Sequence, residues 1–263
     1  MDVASVIGLV LVLVGVFFGS MLKGVQPMTF FSVPAAFLIV VVASIGAGML
    51  GSHIRDVKSL GKLMLKSIKP GATKEPAEAI ELIVGFADQA RREGLLSLED
   101  KVNEIDDPFM RRGLQLAIDG VDSDSVRDTM EAEIDSMRER HKAGAKLMTS
   151  IGVYSPTFGI IGAVVGLIAT LSHLDDPSKL GHGIAAAFVA TFWGVFMANG
   201  VFLPMANKLT RLSQEEIRYK ELIVEGVLSI QAGANPRTVN DLLRSYLPPQ
   251  TAAGTDLAER KSA

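Results

Sequence analysis

Apolar residues in this chain fall into four uninterrupted runs. Val3–Leu22, Gly24–Ser52, Leu147–Ser172 and Gly183–Asn207 contain no Asp, Glu, Lys, Arg or His. Each supplies the roughly 20 apolar residues that a bilayer-crossing helix needs. The pattern predicts a membrane protein with four helical spans; "KGVQPMTFFS" joins spans 1 and 2, and Pro34 lies within the first turn of span 2, where proline is tolerated. Segment 53–146 and the tail after Lys208 hold almost all the charge.

Between spans 2 and 3 the period changes to that of surface helices. "IRDVKSLGKLMLKSIKP" reads as a basic amphipathic helix ending by Pro70, and "GATKEP" as a break. From Glu75 to Gly94, residues Ile80, Ile83, Val84, Ala87 and Ala90 share one helical face. Ser97 and Asp100 have the spacing of a capping box. Asp107, Pro108 and Gly120 mark the start and stop of a further helix. From Ser123 no proline intervenes before Pro156, so one long helix is expected to run into span 3. Span 4 continues in the same way into "ANKLTRLSQEEIRYKELIVEGVLSIQAG". Asn235-Pro236 opens a last short helix to about Tyr246, and the chain from Pro248 onward is expected to be disordered.

The expected fold is therefore an all-α membrane protein. Its parts are a hairpin of spans 1 and 2 (1–52), a cytoplasmic helical domain (53–146), a hairpin of spans 3 and 4 (147–207) and a cytoplasmic helical tail (208–263). Spans 3 and 4 extend into the cytoplasm.

Composition adds less. The chain is 48% hydrophobic with a mean hydropathy of +0.32, and soluble domains also approach half apolar. Charge placement is more telling. Of 26 Lys and Arg, only Lys23 and Lys179 fall in the two short loops. Arg55, Lys58, Lys62 and Lys66 follow span 2, Arg138 to Lys146 precede span 3, and Lys208, Arg211, Arg218 and Lys220 follow span 4. The positive-inside rule then puts both termini and the middle segment in the cytoplasm of a plasma-membrane protein. Span 1 lacks a basic flank and a clear cleavage site, and reads as a retained span. With no cysteine, thiol chemistry is excluded.

Small residues recur along spans 3 and 4: Gly159, Gly162, Gly166 and Ala169, and Ala186, Ala190, Gly194 and Ala198. Such faces let helices approach closely in lipid. They serve either packing of spans 3 and 4 together or contact with another protein's helix. Pro156 and Pro204 lie toward the charged ends of these spans, as a hinge layer or as tolerated kinks. No ionisable residue lies within any span, although ion pathways usually carry one. A carboxylate must come from elsewhere if this chain conducts. "GAGMLG" at Gly46–Gly51 matches a dinucleotide fingerprint, but it ends a span and follows no strand. No H-E-x-x-H, phosphate loop or paired cysteines occur, so no enzyme constellation is found.

"ARREGLLSLED", "SPTFGIIGAVVGLIATL" and "VATFWGVFMANGVFLPMANKL" resemble the MotA/PomA family of flagellar motor stator proteins and, more distantly, the ExbB/TolQ proteins. The likeness covers nearly the whole chain. It implies a ring of five subunits around a MotB-like single-span partner. That partner carries the membrane aspartate and a peptidoglycan-binding domain. Ion flow then drives the ring to push the rotor protein FliG. The resemblance maps rotor contact onto Arg91 and Glu99, with Arg92 and Asp100 beside them. It maps conformational coupling onto Pro156 and Pro204, and the ion path onto Thr191, Ala163 and Thr157. Ala163 stands where sodium-type relatives carry threonine, which removes a cation ligand and favours protons. Membrane lipid is a further partner; no cofactor, metal or nucleic acid is implied. The competing readings are an ExbB/TolQ-like energiser of an outer-membrane process and a non-conducting membrane scaffold.

Overall fold

The computed structural model describes residues 3–69, 75–172 and 174–247, and every regular element among them is helical. In chain order these are α1 (Val3–Leu22), a 3-10 turn (Pro27–Phe30), α2 (Pro34–Leu50), α3 (Ile54–Lys58), α4 (Leu60–Ile68) and α5 (Pro76–Glu93). A second 3-10 turn (Leu95–Leu98) leads to α6 (Glu99–Asn103), α7 (Pro108–Ile118) and α8 (Ser123–Leu171). Then come α9 (Pro177–Phe196), a π-helical segment (Met197–Phe202), α10 (Leu203–Gln231) and α11 (Pro236–Arg244).

Three helical stretches are long and apolar enough to cross a membrane: Val3–Leu22, Ser123–Leu171 and Pro177–Gln231. The second charge-free run behaves differently. Its first part forms the 3-10 turn, Pro34 starts α2 at N1, and the helix stops before Gly51 after 17 residues. That is about 26 Å at the α-helical rise, just short of the hydrocarbon thickness. Pro34 thus stands in the first turn of this helix, as expected, and the residues before it form the connecting loop. The basic amphipathic segment is two helices, divided at Ser59, whose hydroxyl donates to the Asp56 carbonyl (2.7 Å). Pro70, most of "GATKEP" and the tail from Pro248 lie outside the described residues.

The chain divides into two compact units. The first comprises Met1–Gly71 and Arg140–Leu212; the second comprises Ala72–Glu139 and Ser213–Ala263. Within the first, Leu147, Met148 and Ile151 of α8 are buried with Phe202, Ala206 and Leu209, against Leu63 and Met64 of α4. A second cluster joins Ala36 and Val40 of α2 to Val189, Ala190 and Trp193 of α9. Aromatic rings surround it. Trp193 meets Phe31, Phe37 and Phe196 edge-on, and its Nε1–H donates to the Phe30 carbonyl at 2.7 Å. A buried indole N–H needs such a partner.

The second unit has its own core. Ile83, Leu98, Val102, Leu114, Val126, Ile223, Val227 and Leu243 are almost wholly excluded from solvent. Asp107 caps α7 as expected, accepting from the amides of Phe109 (2.9 Å) and Met110 (3.3 Å). Gly120 takes φ +78 after that helix, the left-handed stop that glycine tolerates. Ion pairs flank the core: Arg127 with Glu225 at 2.8 Å, and Lys220 with Glu133 at 3.3 Å.

Candidate functional site

One candidate site is the edge of the second unit where α5 turns into α6. Gly94, at φ +85, terminates α5, and its N–H closes on the Ala90 carbonyl at 2.9 Å. Buried Leu98 and Val102 anchor the turn that follows. Gln89 ties the two sides together. Its Nε2–H donates to the Ser97 carbonyl at 2.9 Å, while its Oε1 accepts from Lys101 Nζ at 2.6 Å. The capping box predicted at Ser97 does not form. The Ser97 hydroxyl instead donates to the Gly94 carbonyl at 2.7 Å, and Leu98 occupies the N-cap without a side-chain bond. The glycine turn fixes Ser97 facing backward, out of reach of the α6 amides.

Arg91 and Arg92 occupy the last turn of α5, and Glu99 and Asp100 the first turn of α6. Each charge complements its helix dipole. All four are exposed. Arg92 pairs with Asp88 at 2.8 Å on its own helix, a surface contact worth about 0.3–0.5 kcal/mol. Among the described residues Arg91, Glu99 and Asp100 form no side-chain ion pair. The edge thus presents cations and anions outward, on two elements bridged by Gln89.

The second candidate site is the α8–α9 seam of the first unit. Here helix backbones touch. A Cβ added at Gly159 would lie 3.1 Å from the Ala190 carbonyl oxygen and from the Gly194 Cα; one at Gly162 would lie 2.9 Å from the Ala190 Cβ. Gly166 faces Ala187 at 3.6 Å. The small residues therefore pack these two helices against each other. The α9 face uses buried Ala187 rather than Ala186, and Ala169 is exposed. Pro156 lies inside α8 and packs on Gly194, whose added Cβ would meet the Pro156 Cα at 3.2 Å. Beside it, buried Ser155 donates to the Ile151 carbonyl at 2.8 Å.

Thr191 stands at this seam, with its Cα 3.4 Å from the Gly159 Cβ position and its hydroxyl bonded back to Ala187 O at 3.4 Å. Ala163 is half-buried. Thr157 is exposed and donates to Tyr154 O at 2.7 Å, so it is not gathered into the seam with Thr191. A broad outer face of α8, including Val153, Ile160, Val164 and Ile168, is uncovered in the single chain.

Pro204 follows directly on the π segment, at the second position of α10. Proline has no N–H and crowds the carbonyl four residues earlier, here Gly200. One wide turn accommodates both effects, and π turns recur at functional places in helices. Sequence reading missed this segment and the aromatic cluster around Trp193. Among the described residues no group of three His, Cys, Asp or Glu could hold a metal.

Residues 101–222 match the MotA/TolQ/ExbB proton channel family, and residues 6–94 match the motility protein A N-terminal model. Motility protein A of Bacillus subtilis (strain 168) is 41% identical over 94% of this chain and 92% of its own. Among solved structures, C. jejuni MotAB aligns with a TM-score of 0.90 at 32% identity, over 95% of this chain and 97% of that one. The flagellar MotAB stator complex from Bacillus subtilis aligns with a TM-score of 0.89 at 39% identity, over 95% and 98%. These likenesses run nearly end to end: the chain belongs to the MotA/TolQ/ExbB proton channel family, with the motility protein A members.

Proposed function

We propose that this chain is a stator subunit of the flagellar motor. It forms a proton channel with a MotB-like partner and converts proton flow into torque on the rotor. It is a channel and motor component rather than an enzyme. The observation that carries this reading is the α8–α9 seam, closely packed by glycine and free of Asp, Glu, Lys, Arg and His over 147–172 and 183–207. A proton crossing lipid needs a group that takes it up and releases it. A single-span partner with a membrane aspartate supplies that group, and the uncovered apolar face of α8 is where the partner and neighbouring copies pack. The two solved structures named above are of MotAB, which supports an oligomer around a MotB-like chain.

In this reading five copies form the ring. Helix α2 is a fourth span, with both termini cytoplasmic. Residues 1–52 and 147–207 form the two membrane hairpins; residues 53–146 and 208–263 form the cytoplasmic part. Arg91 and Glu99, with Arg92 and Asp100, face the rotor protein FliG. Pro156 and Pro204 couple ion binding to movement. Thr191, Ala163 and Thr157 line the ion path, and the absence of a hydroxyl at Ala163 suits protons. An ExbB/TolQ-like energiser shares the family match over 101–222, but the motility protein A match over 6–94 favours the motor.

The test is rotation of tethered cells lacking this gene and the partner's, with both restored. Rotation should return, and should disappear when the partner's membrane aspartate becomes alanine. Rotation independent of this chain would overturn the reading.

A further inference from the structure

We propose that a groove between α1, α4 and α10 holds one acyl chain of an anionic phospholipid, with the headgroup phosphate at Lys208. The groove has a volume of about 250 Å³ and is walled by Gly8, Val12, Ile68, Pro204 and Met205. Its shape follows from two helix faces with matched spacing. Val12 and Gly8 are one turn apart on α1; Gly200, Pro204 and Lys208 are successive turns through the π segment and α10. Gly200 is where the faces close, since a Cβ there would lie 3.4 Å from Val12 Cγ1. One turn toward the chain terminus, Gly8 has no side chain, and a Cβ added there meets no atom within 4 Å. The gap opens at that point.

The groove is polarised along its length. Its closed end is apolar. The opposite end carries Ser5, Ser67 and Lys208, and Lys208 is the first charge after the run Gly183–Asn207. An apolar slot ending at a cation, where a span leaves the hydrocarbon, fits an amphiphile with an anionic head. Helices α3 and α4 bring more positive charge to the same boundary: Arg55, Lys58, Lys62 and Lys66 against a single acid, Asp56. Basic clusters bordering a span favour anionic headgroups. A protein helix, about 10–12 Å across with its side chains, is too bulky for a slot of about 250 Å³; a segment of a flexible hydrocarbon chain is not. The proposal goes beyond the stator reading and depends only on the spans lying in a bilayer.

The test uses the complex with its single-span partner, reconstituted in nanodiscs doped with phosphatidylglycerol or phosphatidylcholine bearing a photoactivatable acyl chain. Cross-linked peptides are then identified by mass spectrometry. Phosphatidylglycerol should label the Gly8–Val12 and Gly200–Met205 segments several-fold more than phosphatidylcholine does. Gly8→Phe, which has room for its ring in the groove, should reduce labelling there several-fold. Lys208→Gln should bring the two lipids to parity while the chain still labels. Equal labelling by both lipids in the unmodified protein, a measurement that needs no variant, overturns the proposal. So does labelling at Gly8–Val12 that Gly8→Phe leaves unchanged, or the finding that these segments cross-link to a second copy of the chain instead.

Discussion

Gly194 of α9 and Gly159 of α8 meet backbone to backbone. A Cβ placed on Gly194 would lie 2.9 Å from the Gly159 Cα and 2.8 Å from the Ser155 carbonyl oxygen. Main-chain atoms on both sides cannot rotate away. Gly194→Ala should therefore push the helices apart at a cost of about 1–3 kcal/mol, the range for overpacked sites. Gly15→Ala on α1, where an added Cβ meets nothing within 4 Å, should be neutral. Thermal unfolding of the detergent-purified complex, read for both variants, checks the contrast. Equal melting temperatures would mean that the seam is looser than described.

Charge reversal tests the α5–α6 edge. Arg91 and Glu99 are exposed, and surface substitutions of this kind change stability by only about 0.5 kcal/mol or less. The double variant Arg91→Glu, Glu99→Arg should assemble with the partner at normal yield yet rotate tethered cells several-fold more slowly, or not at all. Gln89→Ala should act differently. It removes the bonds to Ser97 and Lys101 and so loosens the turn without changing its charge, giving a smaller loss of torque. Normal swimming by the reversed variant would detach these residues from the rotor.

The spans with charged flanks were legible because charge marks where a helix leaves lipid. The α5 face and the Asp107 cap were legible because helical period and cap chemistry are local. The start of α2 was legible at Pro34, because proline is tolerated in a first helical turn; that Pro27–Phe30 forms a 3-10 turn within the connecting loop was not. At Ser97 the spacing of a cap was present, but the left-handed Gly94 redirected the hydroxyl to its own turn. The Trp193–Phe30 bond joins positions 163 apart, beyond the reach of any periodicity. Small residues at Gly159 and Gly194 announced close approach, but only the structure shows that the two meet each other.

Tyr219 provides a pH handle on the second unit. Its hydroxyl donates to Asp107 Oδ2 at 3.1 Å. Burial first, then the neighbouring Asp107 carboxylate, raise its pKa well above the ordinary tyrosine value. The folded state therefore keeps this proton after the unfolded chain, titrating near pH ~10, has lost it. Above that pH the unfolded state binds fewer protons, and stability falls as pH rises. The melting temperature should be flat in this respect below pH ~10 and decline beyond it. Tyr219→Phe should lessen the decline and cost some stability at neutral pH through the lost bond. An alkaline slope identical in the variant would assign the decline to other groups.

Pro204 and the π segment lead to the last expectation. The wide turn over Met197–Phe202 ends just before proline, and it relieves the crowding that proline imposes on the Gly200 carbonyl. Pro204→Leu supplies the missing N–H and removes that crowding. The π turn should then tighten toward ordinary α-helix, which rotates all of α10 relative to α9 by a fraction of a turn. Complex yield, measured in parallel, shows whether the burial of Phe202, Ala206 and Leu209 tolerates that rotation. Rotation of tethered cells should not survive, as the proposed coupling of ion binding to movement through Pro204 requires. Hydrogen exchange separates this from simple damage: amides of 199–204 should become more protected in the variant, not less. Normal rotation together with unchanged exchange would leave Pro204 a tolerated kink.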